Sequence, residues 1–535
     1  MKTIFPLLTT AFLLTAGAQA QSPLQPKLAA QPAEATRVAP AAGPVIGSQE
    51  HDLSVWEGIP YAQAPVGNLR WRAPQPLAAW TQERPALQPG AACAQAIHVP
   101  GQVQTTVRGA EDCLFLNVYA PQNARGLPVM VWIHGGSFTS GAGSDYDPRT
   151  LAREQGVVVV TVNYRLGALG FLALPALEDN GSVGNYGLLD QQLALKWVRQ
   201  NIAAFGGDAR NVTAFGESAG GMSVCQQLLM PGSRGLFDKA IIQSGPCSDA
   251  QLTAPRNTAI AKSTSAAEGL GGCKANDAAC LRALPVEQVI QAKPKGIPAT
   301  VTFPPLYGDP SLPFSPSAVY RQGKNQEAVA PVPLLIGSNQ NEGTIFASFA
   351  SEPGRDISAL QYLGANYAFG GVSGVLKALV NYPTSRYPTR GLAAAAVSTD
   401  NLFACPTSDM ARTRTAQTPV YAYEFRDQNV PYLSYLKPSV AVPSFGAYHA
   451  AEVASIMGAS AALGDYTRFS PAQLELAKTM RSYWANFAKT GNPNGAGLPE
   501  WPRMDTAGNK VLAFAPAQVG VVSDFRTSHK CGSVW

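Results

Sequence analysis

Six short runs of the chain are apolar at consecutive rather than alternate positions: 128–133, 157–162, 211–215, 240–243, 333–336 and 420–425. A strand with one wet face alternates, whereas a strand apolar on both faces belongs in the centre of a largely parallel sheet. Helical patterns fall between these runs. Leu189, Leu193 and Trp197 recur every fourth residue, and Val198, Ile202 and Phe205 continue that side. Strand alternating with helix predicts an α/β architecture, a central mostly parallel sheet flanked by helices on both faces. Fifty glycines and 43 prolines fit such a fold with many ordered loops.

The first twenty residues read as a targeting segment. Lys2 gives a minimal positive start, Ile4 to Ala16 are apolar or small, and Ala18-Gln19-Ala20 is the small-x-small pattern of a signal peptidase site. The apolar run is short for a membrane span. Residues 1–20 are therefore expected to be a signal peptide and 21–35, rich in Ala, Pro and Gln, a flexible lead-in. Residues 36–535 form the folded domain. No later stretch has the length of a transmembrane helix, so the sequence predicts an exported product without a membrane anchor, in a periplasm or the medium.

The formal charge is +5, or +4 without Lys2, and basic residues are scattered. A nucleic-acid surface needs a clustered basic stripe, which is missing. Eight cysteines form an even set, which in an exported chain suggests disulfides. Eight cysteines admit 105 pairings. Cys273 and Cys280 are near enough to close a short loop and Cys93 with Cys113 a longer one; buried free thiols are the alternative. No Cys/His spacing suggests a metal.

Gly216-Glu217-Ser218-Ala219-Gly220 follows one apolar run and precedes a helical pattern starting near Ala219. In that context the glycines permit a strand-to-helix turn sharp enough to present a serine hydroxyl in a strained conformation. The following helix adds the positive end of its dipole. A serine needs a base. His134 lies in His134-Gly135-Gly136-Ser137-Phe138, directly after a core run, and matches a loop whose backbone N–H groups bind a developing oxyanion. Gly135, Gly136 and Ala219 are the expected donors, with His134 structural. His449, far down the chain, is the candidate base, while His51, His98 and His529 lie in polar loops or near the terminus and are expected to be solvated. Glu342 follows the run ending at Ile336, at a strand's carboxyl end where α/β sheets build sites. It is the candidate acid that would orient the histidine.

With these residues in place, the chain resembles the type-B carboxylesterases, the family that includes the cholinesterases, from about Thr36 to its end. The resemblance rests on the Ser218 and His134 motifs together with Glu57-Gly-Ile-Pro-Tyr-Ala62, Glu111-Asp-Cys-Leu-Phe-Leu-Asn-Val-Tyr119, Asn163-Tyr-Arg-Leu-Gly167, Asn185-Tyr-Gly-Leu-Leu-Asp-Gln191, Phe205-Gly-Gly-Asp208 and Gly446-Ala-Tyr-His449. It implies an α/β-hydrolase fold, a Ser218–Glu342–His449 triad, and hydrolysis of small-molecule carboxylic esters with no metal or organic cofactor. It also implies disulfides Cys93–Cys113, Cys273–Cys280 and Cys405–Cys531, which leaves Cys225 with Cys247. Arg70, Glu111, Asp190 and Glu217 match family positions that look structural.

Departures narrow the substrate. Cholinesterases carry an aromatic residue for a quaternary ammonium in the loop closed by the first disulfide. Between Cys93 and Cys113 this chain has no Trp, Tyr or Phe, so that cation–π site is missing. Ser137 replaces a third glycine and Ala209 a common proline, without loss of a catalytic group. The same triad would serve an amide, a carbamate or a lipid ester; a binding module of this family that has lost its nucleophile is the remaining alternative. The stretches 307–320 and 346–367 are expected to contribute pocket walls.

Overall fold

Successive side chains of a strand point to opposite faces, so a fully apolar run must bury both. Strand Leu127–Ile133 does so: Val129, Val131 and Ile133 enter one core, Met130 and Trp132 another. The computed structural model describes residues 36–97, 106–246, 248–249, 253–293 and 303–535. The expected signal peptide and lead-in, His98 and the Cys225–Cys247 pairing lie outside the described residues.

Twelve strands make the main path of the central sheet: β1 Thr36–Val38, β2 Val45–Glu50, β3 Leu53–Pro60, β4 Phe115–Pro121, β5 Leu127–Ile133, β6 Val158–Val162, β7 Gly207–Glu217, β8 Lys239–Gln243, β9 Leu334–Asn339, β10 Val420–Phe425, β11 Val511–Ala515 and β12 Gln518–Val522. Their order is β1-β2-β3-β4-β6-β5-β7-β8-β9-β10-β11-β12. Pairing is parallel from β6 through β11 and antiparallel at both margins. Each of the six apolar runs is one of the parallel strands.

Four helices bear on the argument: α1 Tyr186–Asn201, α2 Ala219–Leu229, α3 Gly343–Ala350 and α4 Pro471–Thr490. Helix α1 buries Leu188, Ala194, Leu195 and Val198 in the first core; α4 buries Met480, Tyr483, Trp484 and Phe487 in the second. Helices thus cover both faces. The deepest line of α1 runs through Leu188, Gln191 and Leu195, whereas the expected Leu189 and Leu193 are half-buried beside it. The helix is rotated toward Asp190, which is fully buried and pairs with Arg165 at 2.7 Å. Ser470 accepts from Gln473 N and Gln473 returns the bond to Ser470 N, a capping box that starts α4.

Because the central strands are parallel, their carboxyl ends share one edge, where ligands bind in open α/β sheets. At that edge β5 runs into His134, β7 into Ser218 and β9 toward Glu342. Three disulfides brace the periphery: Cys93–Cys113, Cys273–Cys280 and Cys405–Cys531. Arg70 and Glu111 pair with each other, as a structural role requires. Among the described residues no helix is long and apolar enough to cross a membrane.

Candidate active site

Ser218 stands between β7 and α2 with φ 56° and ψ −125°, a conformation that an L-residue adopts only when its surroundings enforce it. The enforcement is steric and hydrogen-bonded. Ser218 N donates to Gln243 O at 2.9 Å, and Ser218 O accepts from Met222 N at 2.9 Å. Gly220 packs so closely on β5 that a β-carbon there would overlap the Ile133 carbonyl. The glycines of the motif therefore press helix α2 against the sheet and leave the serine at the crest of the turn.

Across from it runs the loop 134–141. Gly136 O accepts from Thr139 N at 2.9 Å and Ser140 N at 3.1 Å, closing the loop on itself. His134 is wholly buried and stacks on Tyr164 with centroids 4.4 Å apart. Burial lowers its pKa to about 4, so it is neutral, and Nδ1 lies 2.8 Å from Gly135 O. The ring is a fixed prop, as the sequence suggested.

Glu342 and His449 come together. Glu342 Oε2 lies 2.6 Å from His449 Nδ1, and its Oε1 accepts from Asn339 N at 2.7 Å. The stretch bearing His449 is tied to the stretch bearing Glu342: Asn341 N donates to Ala447 O at 2.9 Å, and Asn339 Nδ2 to Tyr448 O at 2.8 Å. Phe346 and Phe403 flank the imidazole, with centroids 5.0 and 4.9 Å away.

Glu217 and Glu452 join this group, a placement the sequence did not disclose. Glu217, expected to be structural only, has Oε1 3.2 Å from His449 Nε2. Its signal was its position beside Ser218. Glu452 is fully buried, accepting from Gln243 Nε2 at 3.0 Å and Asn339 Nδ2 at 2.6 Å. Burial raises the Glu217 carboxyl to about 8. Burial also opposes charge on His449, but Glu217, Glu342 and Glu452 outweigh it and lift the imidazole to about 9. The 2.6 Å contact with Glu342 and the nearby Glu217 both favour the charged form of the imidazole.

Ser218, His449, Gly135 and Gly136 line one cavity of about 430 Å³, within the range of small-molecule sites. Its outer wall comes from Gln95, Ile97 and Arg108 of the Cys93–Cys113 loop, and from Tyr435, Ala462 and Leu463. Among the described residues none of 307–320 lines it, and of 346–367 Phe346 lies near His449. The walls come instead from the Cys93–Cys113 loop and from Tyr435, Ala462 and Leu463. His529 also departs from expectation. It is buried rather than solvated, with Nδ1 2.6 Å from Asp400 and Nε2 2.7 Å from Glu424. Two carboxylates distant in sequence stabilise its charge and outweigh the terminal position that suggested exposure.

The carboxylesterase family model matches residues 34–533. A para-nitrobenzyl esterase of Bacillus subtilis (strain 168) is 37% identical over 479 residues, 86% of this chain and 91% of its own. A cocaine esterase of Homo sapiens is 34% identical over 499 residues, 86% of this chain and 85% of its own. A solved PNB esterase superposes with a TM-score of 0.75 at 33% identity, over 92% of this chain and 99% of the other. The chain belongs to the carboxylesterase family and is a carboxylic ester hydrolase of the α/β-hydrolase fold.

Proposed function

We propose that this protein is a serine carboxylesterase in which Ser218 is the nucleophile, His449 the general base and Glu342 the orienting acid. The reading rests above all on the strained Ser218 turn sharing one cavity with His449, which Glu342 contacts, and with the loop of Gly135 and Gly136. His449 takes the Ser218 proton as Oγ attacks the ester carbonyl. The N–H groups of Gly135, Gly136 and Ala219 receive the oxyanion, where each preorganised donor contributes about 2.7–4 kcal/mol. His449 then protonates the departing alcohol. In the second half, the same nitrogen takes a proton from water, which attacks the acyl carbonyl and releases the carboxylic acid. Glu342 orients the ring and stabilises the imidazolium.

Neutral esters suit the cavity. The Cys93–Cys113 loop offers Gln95, Ile97 and Arg108 where a choline site would need an aromatic face, and Arg108 is engaged by Asp145. A relative named for para-nitrobenzyl esters points to the same class. Ser218→Ala, assayed on p-nitrophenyl butyrate, should lose nearly all turnover with an unchanged unfolding temperature. Retained turnover would remove Ser218 from the role. A series of acyl lengths, with an anilide and a choline ester alongside, separates simple esters from amides, lipid esters and choline esters.

Export is part of the proposal, supported by the leader-like first twenty residues and three disulfides suited to an oxidising compartment. Amino-terminal sequencing of the expressed product is expected to begin at Gln21.

A further inference from the structure

We infer that Gln95 is a positioning residue for the oxyanion loop, acting through Gly141. The inference rests on the reading of Gly135, Gly136 and Ala219 as oxyanion donors.

Such donors stabilise a transition state only if they are held in place beforehand, because reorganising them during the reaction forfeits the gain. The internal bonds of loop 134–141 close it on itself but do not fasten its far end. That end is Gly141, with φ 107°. Gly141 packs directly under the donor segment: a β-carbon on it would lie 2.5 Å from His134 Nδ1 and 2.9 Å from Gly135 O. Any shift of Gly141 is therefore transmitted to Gly135.

Gln95 grips that residue on both sides of its backbone. Its Oε1 accepts from Gly141 N at 2.8 Å and its Nε2 donates to Gly141 O at 3.0 Å, while the second Nε2 hydrogen goes to Cys93 O at 2.9 Å. Gln95 is 3% exposed, so the bonds are shielded from water. The side chain's identity is specified by this pattern. Glutamate would set a carboxylate oxygen against two carbonyls, and asparagine would fall one methylene short.

The clamp has a rigid base. Gln95 pairs with Arg108 across a short antiparallel ladder, and Cys93–Cys113 closes the loop below it. Arg108 in turn grips Asp145, four residues beyond Gly141. Two adjacent side chains of one disulfide-closed loop thus hold the exit of the oxyanion loop.

The test compares full-length wild type with Gln95→Ala and the near-isosteric Gln95→Glu. Substrate is p-nitrophenyl butyrate. The binding probes are an alkyl trifluoromethyl ketone, which adds to a serine hydroxyl as a tetrahedral oxyanion, and its methyl ketone parent, which binds as the uncharged carbonyl. Misplaced donors should lower kcat by about 10- to 100-fold with KM within about threefold, because the loss falls on the transition state. Affinity for the trifluoromethyl ketone should fall by the same factor, and affinity for the methyl ketone should hold. A merely structural wall residue would weaken both ketones alike or raise KM, and either result overturns the inference. So do variants within about twofold of wild type in kcat and in trifluoromethyl ketone affinity. Loss of fold in both variants also counts against it, since the role is local. If Ser218→Ala is inactive while both Gln95 variants behave as wild type, only the role of Gln95 falls; turnover by Ser218→Ala would instead remove the underlying reading of the site.

Discussion

His449 faces three buried carboxylates, and this sets the pH at which it can act. As the proposed base it must be neutral, and its pKa is lifted to about 9 against the opposition of burial. The rate limb that reports its deprotonation should therefore still be rising above pH 7, where an ordinary histidine has already levelled off. Glu217→Gln removes a carboxyl group whose charge favours the imidazolium. The imidazolium is then less favoured, and the limb in kcat/KM should move to lower pH; a limb that stays put would free Glu217 from any electrostatic role. Glu342→Gln acts differently, because it withdraws the partner that orients Nδ1 and stabilises the charged ring. We expect kcat to fall by about 10³–10⁴-fold, as for triad acid-to-amide changes, with little change in unfolding temperature. Ser218, Glu342 and His449 could be picked out of the sequence as candidates because each stands in a recognisable local setting, and the structure brings Glu342 Oε2 to 2.6 Å from His449 Nδ1. Glu217, Glu452 and Gln95 were not. Their parts depend on what lies across from them: His449 for Glu217, Asn339 and Gln243 for Glu452, Gly141 for Gln95.

The parallel strands could be read from sequence because both-face burial leaves unbroken apolar runs, and all six runs lie in β5 through β10. The face of α1 was harder to place. Leu189 and Leu193 satisfy a helical repeat, but the buried Asp190–Arg165 pair turns the helix so that Leu188 and Leu195 go deepest. Between β7 and α2 the decisive property is close approach rather than hydrophobicity. Gly220→Ala illustrates it. In an exposed helix the exchange would stabilise by roughly 0.5–1 kcal/mol. Here the added methyl meets the Ile133 carbonyl, so the sign should reverse, with a loss of about 1–3 kcal/mol from overpacking. Urea unfolding of the variant measures the loss, and activity should fall with it, because the shift is passed to Ser218 two residues away.

The last eleven residues are anchored to the body of the fold by chemistry of different kinds. Cys405–Cys531 spans a sequence separation of 126, Trp535 Nε1 donates to Tyr382 Oη at 2.7 Å, and His529 lies between Asp400 and Glu424. Replacing both Cys405 and Cys531 by alanine should lower stability by about 3–5 kcal/mol, chiefly by freeing the unfolded chain. His529 adds a dependence on pH. Burial opposes its charge, but the two carboxylates lift it from 6.5 to about 9. A group whose pKa is raised by folding stabilises most below its unfolded value and loses that contribution as pH climbs through the folded one. This part of the stability should therefore be complete below about pH 6.5 and disappear through about pH 9. His449 is shifted in the same direction, so wild type alone cannot isolate the effect. Comparison with His529→Gln can. Near pH 6.5 the variant should be less stable by about 3–5 kcal/mol, because two buried carboxylates lose their cation. By about pH 9.5 the gap should have narrowed, as wild type too has lost the charge. Urea unfolding at the two pH values measures both differences. A gap that stays constant would mean that His529 holds the terminus by packing, and that the paired carboxylates contribute no charge-dependent stability.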